Sequence, residues 1–438
     1  ALGQLNLAAL YLHSAFKEYP KHPGLGDADA ELWDLALDAS RTAPDAARQA
    51  YSIALNYSRG DEPMRLRGAL WLANHYENAG KKLEALIVYG RLLEMPGGFE
   101  RSVIELRAAA RNRGRLSVDQ MSALLAAIPR NGLPSEDSPI EIAFSTASAR
   151  LMRTLLCLEL GQFSDALDEL SNAKTLPDGA RTDCQRAIEI ALTIDALRKL
   201  GRIDDALAAA RTSESDYLFT LWPQLFRYYR AKCERASGNY KQAIELIDSV
   251  QSSHRVAAYR LSSQLLKGTC LYSMGETSLA HDALQSALPT SALDAQPHRR
   301  AHIYLGLWFA SPDSADAKQH FRAARGHGKA QGASDSGVSY KTVGLEKTEP
   351  AFAYLADHFI NRKPSAKLVD WLRANAPAMI ADELCFLAGE YYRRLSNDKI
   401  AEKFYKMAIE IGPANDWNAR RSAEMLATLS GTSTAEPS

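Results

Sequence analysis

Four glycines recur at a nearly constant interval in the middle of the chain. Gly161, Gly201, Gly238 and Gly275 are separated by 40, 37 and 37 positions. Each lies between two helix-like stretches, as in "LELGQFSDALDELSNAKTLP" from Leu158. A pair of helices with two short connections occupies about this length. The interval therefore predicts helix pairs that stack one on the next.

A small residue follows each turn at a fixed distance. Alanines stand five positions after these glycines and after Gly80: Ala85, Ala166, Ala206, Ala243 and Ala280. A helix hairpin closes tightly only if the chain can turn at the glycine and a small side chain lets the second helix approach the first. Helical periodicity runs nearly throughout, and no alternating β-branched stretch suggests a sheet. The sequence predicts an all-α protein.

The segment "GEYYRRLSNDKIAEKFYKMAIEIGP", residues 389 to 413, shows the fullest form of this unit. Gly389 and Tyr392 occupy the first helix, Ala401 opens the second, and Pro413 closes the segment, while Ser396 replaces glycine at the turn. These segments resemble tetratricopeptide repeats. The resemblance implies an α-solenoid, a right-handed superhelix of antiparallel helix pairs.

Two interruptions suggest how the chain is divided. Residues 126–141 hold three prolines and an acidic patch, and residues 326–350 are rich in Gly, Ser and Lys. Both are typical of loops. The predicted order is a helical block at 1–125 with one repeat-like unit near 66–97, the loop at 126–141, the central array at 142–325, the loop at 326–350, helices at 351–429 with a unit at 382–413, and a disordered tail at 430–438.

Charge balance limits the class of partner. Lys plus Arg and Asp plus Glu are both 52, so the formal net charge is zero. No global field draws such a chain to DNA, RNA or an anionic membrane. We therefore expect no nucleic-acid partner. No run of about 18 apolar residues occurs, so no transmembrane segment is predicted.

Cysteine usage bears on the compartment. The five cysteines are widely spaced in helix-like apolar stretches and are predicted to be core residues: Cys157, Cys184, Cys233, Cys270 and Cys385. Free buried thiols favour a reducing, cytoplasmic compartment. Because the chain begins at Ala1, a periplasmic location stays open if a signal peptide precedes it.

Three short motifs resemble chemical sites without completing them. "GHGKAQG" lacks the preceding strand and the Ser or Thr of a phosphate-binding loop. His298 and His302 stand four apart, but no Glu follows the first histidine as in the zinc-protease motif. "GASDSG" around Ser334 lacks the spacing and the strand of a nucleophile elbow. We therefore predict no metal, no cofactor and no enzymatic activity.

Residues 216–235 interleave aromatic residues with arginine and lysine. Aromatic and arginine side chains are the commonest binding anchors. Registration onto the repeats predicts that Tyr228, Lys232 and Arg235 share a concave face. The same registration predicts further partner contacts in the groove: Asn74, Asp195, Arg198, Glu390 and Arg393. Their mixed charge does not reproduce the Lys and Asn clamp for chaperone C termini known from tetratricopeptide proteins.

The sequence favours a non-enzymatic scaffold that binds a protein partner along the solenoid, as a subunit or assembly factor of a larger complex. Association with an envelope or membrane complex through other subunits stays open. Rigid presentation of a long surface lowers the ordering cost of binding. The alternative is a regulatory protein that senses a peptide or ligand and closes the loop at 326–350 over it. The sequence does not identify the partner.

Overall fold

A computed structural model describes most of the chain. The described residues are 7, 11, 14, 15, 18, 19, 32–34, 36–40, 43–57, 62–92, 118–132, 145–177, 183–216, 222–251, 257–288, 299–325, 350–376, 378–413 and 415–431. They divide into two compact units. Unit 1 comprises the described residues within Ala1–Asn112, Gln120–Leu156 and Asp168–Glu189, and unit 2 those within Arg113–Asp119, Cys157–Leu167 and Ile190–Ser438.

Every regular element in these described ranges is a helix, which confirms the predicted all-α class. In chain order the helices are α1 (Pro44–Tyr57), α2 (Glu62–Asn78), α3 (Lys82–Leu92), α4 (Val118–Ala127), α5 (Thr146–Glu159), α6 (Phe163–Lys174), α7 (Asp183–Lys199), α8 (Ile203–Asp216), α9 (Trp222–Ser237), α10 (Tyr240–Gln251), α11 (Ala257–Ser273), α12 (Thr277–Ser286), α13 (Arg299–Trp308), α14 (Ala315–Arg325), α15 (Pro350–Asn361), α16 (Ser365–Asn375), α17 (Ala381–Arg394), α18 (Asp398–Ile411) and α19 (Trp417–Leu429).

Unit 2 is built as a stack of helix pairs. From α8 to α19 each helix packs against the next one in the chain. Helices two apart also meet, α9 with α11, α13 with α15, α15 with α17 and α17 with α19. This alternation is the tetratricopeptide-type solenoid packing that the sequence predicts. In unit 1, α2 packs against both α1 and α3.

The turn residues behave as the repeat pattern predicts. Gly201, Gly238 and Gly275 adopt φ of 76°, 86° and 81°, in the left-handed region that favours glycine. Ser396 replaces glycine at the corresponding turn between α17 and α18 and still adopts φ of 55°. The hairpin geometry therefore persists where the glycine is missing.

The small residues that follow the turns are buried. Ala85 is 2% exposed, and the four others have no exposed surface: Ala166, Ala206, Ala243 and Ala280. Close approach also explains the glycine inside α17. A Cβ added at Gly389 would lie 2.6 Å from the ring of Tyr405, a buried residue of α18. Only glycine lets the two helices pack at this distance.

The described cysteine side chains belong to the core, as predicted. Cys157, Cys233, Cys270 and Cys385 are buried and free, while the side chain of Cys184 lies outside the described part. Burial raises the pKa of the Cys233, Cys270 and Cys385 thiols to about 12. These groups are therefore thiols rather than thiolates at neutral pH.

Two predicted features fall mostly outside the described residues. Only Ala126 to Gly132 of the loop predicted at 126–141 are described, and α4 continues to Ala127. Of the loop predicted at 326–350, only Pro350 is described, as the first residue of α15. The predicted domain boundaries stay a prediction. Within the ranges given above, no helix has both the length and the apolar character needed to cross a bilayer.

Candidate functional site

Two of the predicted groove positions pair from one repeat to the next. Asp195 lies on α7 and Lys232 on α9, 37 residues later. The Lys232 ammonium donates to Asp195 Oδ1 at 2.5 Å, and Arg198 lies 3.6 Å from the same carboxylate. The repeat register thus brings opposite charges together on neighbouring first helices.

The C-terminal helices complete a buried charge network with these residues. Lys199 Nζ lies 3.0 Å from Asp382 Oδ1 at the start of α17 and 3.0 Å from Asp416 Oδ2, directly before α19. Arg198 Nη1 donates to the same Asp416 oxygen at 3.0 Å. Asn418 donates to the second oxygen of Asp382 at 3.1 Å. The network therefore joins segments about two hundred residues apart.

The network shifts the pKa values of its two C-terminal carboxyl groups, Asp382 and Asp416, in opposite directions. Burial favours a raised pKa at Asp416, but Lys199 and Arg198 outweigh it and hold the pKa well below the ordinary value. At Asp382 burial dominates, and the nearby Asp416 carboxylate adds to it, so the pKa is raised despite Lys199. The pKa of Lys199 is raised because Asp382 and Asp416 overcome its burial. Asp416 is thus the stable anion of the pair.

The C-terminal segment is defined here as the described residues 378–413 and 415–420. It contacts the ends of five helices, each of which is the first helix of a helix pair. Its hydrogen bonds reach the C-terminal ends of α5, α7, α9, α11 and α13 or the turns that follow them. The pairs are Ala378 to Glu159 O at 3.3 Å, Asn415 to Gly201 O at 3.4 Å, Arg420 to Arg235 O at 3.2 Å, Trp417 to Ser273 Oγ at 3.0 Å and Arg394 to Trp308 O at 2.8 Å. One segment therefore ties successive repeats of unit 2.

Trp417 is the apolar anchor of this contact. Its side chain has no exposed surface, and its ring packs edge-on against Phe386 at 5.3 Å between centroids. The Arg235 guanidinium lies 4.8 Å from the Trp417 ring centroid. Asp416 caps α19, because its side chain accepts a hydrogen bond from the Trp417 amide at 2.8 Å. The start of α19 is therefore held by the buried Trp417 ring and by the Asp416 cap.

The structure corrects the expectation that all of the predicted groove residues offer accessible surface. Asp195, Arg198 and Glu390 are buried, with 0%, 7% and 2% exposure. The first two belong to the charge network. Glu390 accepts hydrogen bonds from Tyr405 at 2.5 Å and from Arg393 at 3.2 and 3.0 Å. Their charges are satisfied inside the protein, so these three do not offer free contacts to a partner.

The remaining predicted contacts are half-buried: Asn74, Tyr228, Lys232, Arg235 and Arg393. Arg235 also donates to Thr269 Oγ1 at 3.0 Å. Tyr228 packs at the edge of the core cluster around Ala243, and Lys232 Nζ lies 5.9 Å from its ring centroid. The partner-binding role of these five residues stays a prediction.

Sequence reasoning missed the other half of the network. Lys199, Asp382, Asp416 and Trp417 break no periodic rule in the sequence, so they resemble ordinary helix-surface or core residues. The one local signal is Asp416 directly before Trp417 and shortly after Pro413, a pattern typical of a helix start. It predicts where α19 begins and carries no information on what α19 contacts.

Metal ligation has little support in the described residues. Among them, no group of three or more His, Cys, Asp or Glu side chains is arranged to hold a metal ion. His302 Nδ1 lies 3.0 Å from His320 Nδ1, across the α13–α14 hairpin. Burial lowers the pKa of His320, so one hydrogen bond that involves a neutral His320 imidazole accounts for this contact. His298 lies outside the described part of the chain.

Comparison with known proteins yields structural similarity alone. No protein-family model matches the sequence, and no curated protein matches it. Similar solved structures include a human IFIT1 dimer with PPP-AAAA, at 13% identity and a TM-score of 0.40, over 94% of this chain and 91% of that chain. They also include the P58(IPK) TPR domain, at 16% identity and a TM-score of 0.18, over 93% of this chain and 99% of that chain.

The helix pairs of this chain define its class by their own geometry. They have left-handed turn residues, buried alanines after the turns, and packing between helices two apart. The protein is an α-solenoid of tetratricopeptide-like helix pairs.

Proposed function

We propose that this protein is a non-enzymatic scaffold that binds a protein partner along its solenoid surface, as a subunit or assembly factor of a larger complex. The observation that carries the proposal is the C-terminal segment, which bonds within unit 2 to Glu159 and to the ends of α7, α9, α11 and α13 or the turns that follow them. Contacts of this kind restrict motion between repeats. A surface that is already ordered loses less conformational freedom when it binds.

The half-buried pair Tyr228 and Lys232 is the proposed contact point. Tyr228 supplies aromatic area beside the core cluster of α9, and Lys232 supplies a cation held in register by Asp195. Aromatic side chains such as tyrosine are frequent anchors of protein interfaces. The buried Asp195 accepts the hydrogen bond from Lys232, and the buried Arg198 contacts the same carboxylate.

Affinity purification tests the proposal. The tagged full-length chain and two variants, Tyr228→Ala and Tyr354→Ala, are recovered from native cells, and bound proteins are identified by mass spectrometry. Tyr354 is a matched control, because it is a half-buried tyrosine on α15, stacked on Trp371 at 4.1 Å between centroids. Circular dichroism confirms that both variants are folded.

The proposal predicts a reproducible set of partner proteins with the wild-type chain and with Tyr354→Ala. Loss of an interface anchor costs about 1 kcal/mol or more, so Tyr228→Ala should bind about fivefold more weakly. Two results would contradict the proposal: recovery of no reproducible partner, or equal recovery by Tyr228→Ala and the control.

A further inference from the structure

Three arginines of unit 1 converge on one carboxylate. Glu169 on α6 lies 2.9 Å from Arg153 Nε, 3.1 Å from Arg130 Nε and 3.5 Å from Arg150 Nη1. Arg150 and Arg153 belong to α5, and Arg130 lies in the turn after α4. We call these four residues the arginine cluster. It does not overlap the buried charge network of unit 2.

The arginine cluster carries more positive than negative charge. In the described part of the chain, Glu169 is the one carboxylate within ion-pair distance of the three guanidinium groups. Three of the four side chains are largely removed from solvent: those of Glu169, Arg153 and Arg150 are 5%, 12% and 15% exposed. Partly buried charge is costly unless it is compensated. Three guanidinium groups against one carboxylate therefore leave the cluster with an excess of positive charge.

The donors that remain open belong to Arg130 and Arg150. Arg153 is already satisfied, because its Nη1 also donates to Leu125 O at 2.6 Å and to Ile128 O at 2.9 Å. Arg150 makes a longer contact with Glu169, and the Arg130 side chain is 67% exposed. Each guanidinium has several N–H donors in a planar fork that matches a carboxylate. Arg130 and Arg150 thus contact the two oxygens of the Glu169 carboxylate, and these contacts do not use all of their N–H donors.

We propose that Arg130 and Arg150 form a binding site for carboxylate groups of an acidic protein segment. This inference rests on the proposed scaffold function and deepens it by naming the chemistry of a partner. The geometry favours a few carboxylates over a nucleic acid backbone, because a phosphate chain needs cations along a track and the whole chain has no net positive charge. An arginine fork reads one or two carboxylates at a single point.

Fluorescence anisotropy with a labelled hexaglutamate peptide tests the site on the full-length chain at low ionic strength. The variants are Arg130→Gln, Arg150→Gln and Arg202→Gln. Arg202 is the matched control, because it is an exposed arginine of unit 2 that is paired with Asp205 at 2.7 Å. A hexauridylate oligonucleotide, measured in parallel, separates carboxylate recognition from phosphate recognition.

Wild type and Arg202→Gln should bind hexaglutamate equally, and Arg130→Gln and Arg150→Gln should each weaken it at least about fivefold, as expected for loss of a charge-assisted pair. Because the Arg130 side chain is mostly exposed, its variant decides the question even if Arg150→Gln does not fold. No binding by the wild type, unchanged binding by Arg130→Gln, or equal cluster-dependent binding of hexauridylate would overturn the inference. None of these results bears on partner recovery through Tyr228.

Discussion

Arg198 donates a 3.0 Å hydrogen bond to Asp416, a residue 218 positions further along the chain. Both side chains are buried, and Lys199 shares the same Asp416 oxygen. The pair joins the end of α7 to the start of α19. A repeat array stabilised only by contacts between neighbours would not contain such a bond.

Neutralising Asp416 should destabilise unit 2 strongly. In Asp416→Asn the new side chain can still cap α19, but Arg198 and Lys199 lose their shared anion. Breaking a buried ion pair by removing one partner costs about 3 to 5 kcal/mol. Chemical denaturation measures the loss. The control is Asp205→Asn, an exposed carboxylate paired with Arg202, for which we expect at most about 1 kcal/mol.

Enlarging Ala243 should overpack the hairpin of α9 and α10. Ala243 has no exposed surface and lies in a cluster with Ala231 and Ile247. Ala243→Leu should lower the free energy of unfolding by about 1 to 3 kcal/mol, because added atoms in a packed core displace their neighbours. Ala208→Leu, at an exposed position of α8, serves as the control. Equal melting temperatures for the two variants would show that the repeat register is wrong.

Two turn substitutions should change stability in opposite directions. Gly275→Ala meets no atom within 4 Å, so its cost comes from φ of 81° alone and should be about 1 kcal/mol. Ser396→Gly, at φ of 55°, should stabilise by up to about 1 kcal/mol, because it relieves the same strain. Thermal unfolding of both variants checks the signs. A destabilised Ser396→Gly would indicate that this serine is held by more than its backbone.

The histidine in the last turn of α15, His358, should make stability depend on pH. Burial, with a further contribution from Lys363 and against Asp357, lowers the pKa of His358 from 6.5 to about 4. The unfolded chain therefore binds more protons between these values. The stabilisation is full above pH 6.5 and is lost as the pH falls toward 4, by up to about 3 kcal/mol.

Denaturation between pH 5 and 7 measures this slope. His358→Gln should flatten it, although loss of the 2.8 Å contact with Tyr392 Oη lowers stability at every pH. His281→Gln is the control, because the His281 side chain on α12 is 42% exposed whereas His358 has no exposed surface. A slope that is the same in the wild type and in His358→Gln would contradict the assignment.

The helix pairs could be predicted from the sequence because each is specified locally. A glycine at the turn and an alanine five positions later constrain residues that are close in the chain, and helix packing follows from them. The turn at Ser396 could be placed by the same spacing although the glycine is absent. These local steric requirements recur along the sequence at a nearly constant interval, so one sequence is enough to detect them.

The position of the C-terminal segment could not be predicted for the opposite reason. Lys199 and Asp382 lie 183 positions apart in the chain and fall in no common period. Charged residues on a first helix are also what an open groove would carry, so Asp195 and Arg198 favoured a binding surface. Their burial depends on which distant element packs there, and that choice is made by tertiary contacts alone.

Native-state hydrogen exchange on α19 tests the central claim most directly. If the charge network and Trp417 hold the C-terminal segment against the repeats, the amides of α19 should exchange as slowly as those of α17, and Asp416→Asn should accelerate exchange in α19 before α9 and α10. Exchange of α19 at the rate of an isolated peptide helix in the wild-type protein, unchanged in Asp416→Asn, would contradict the account.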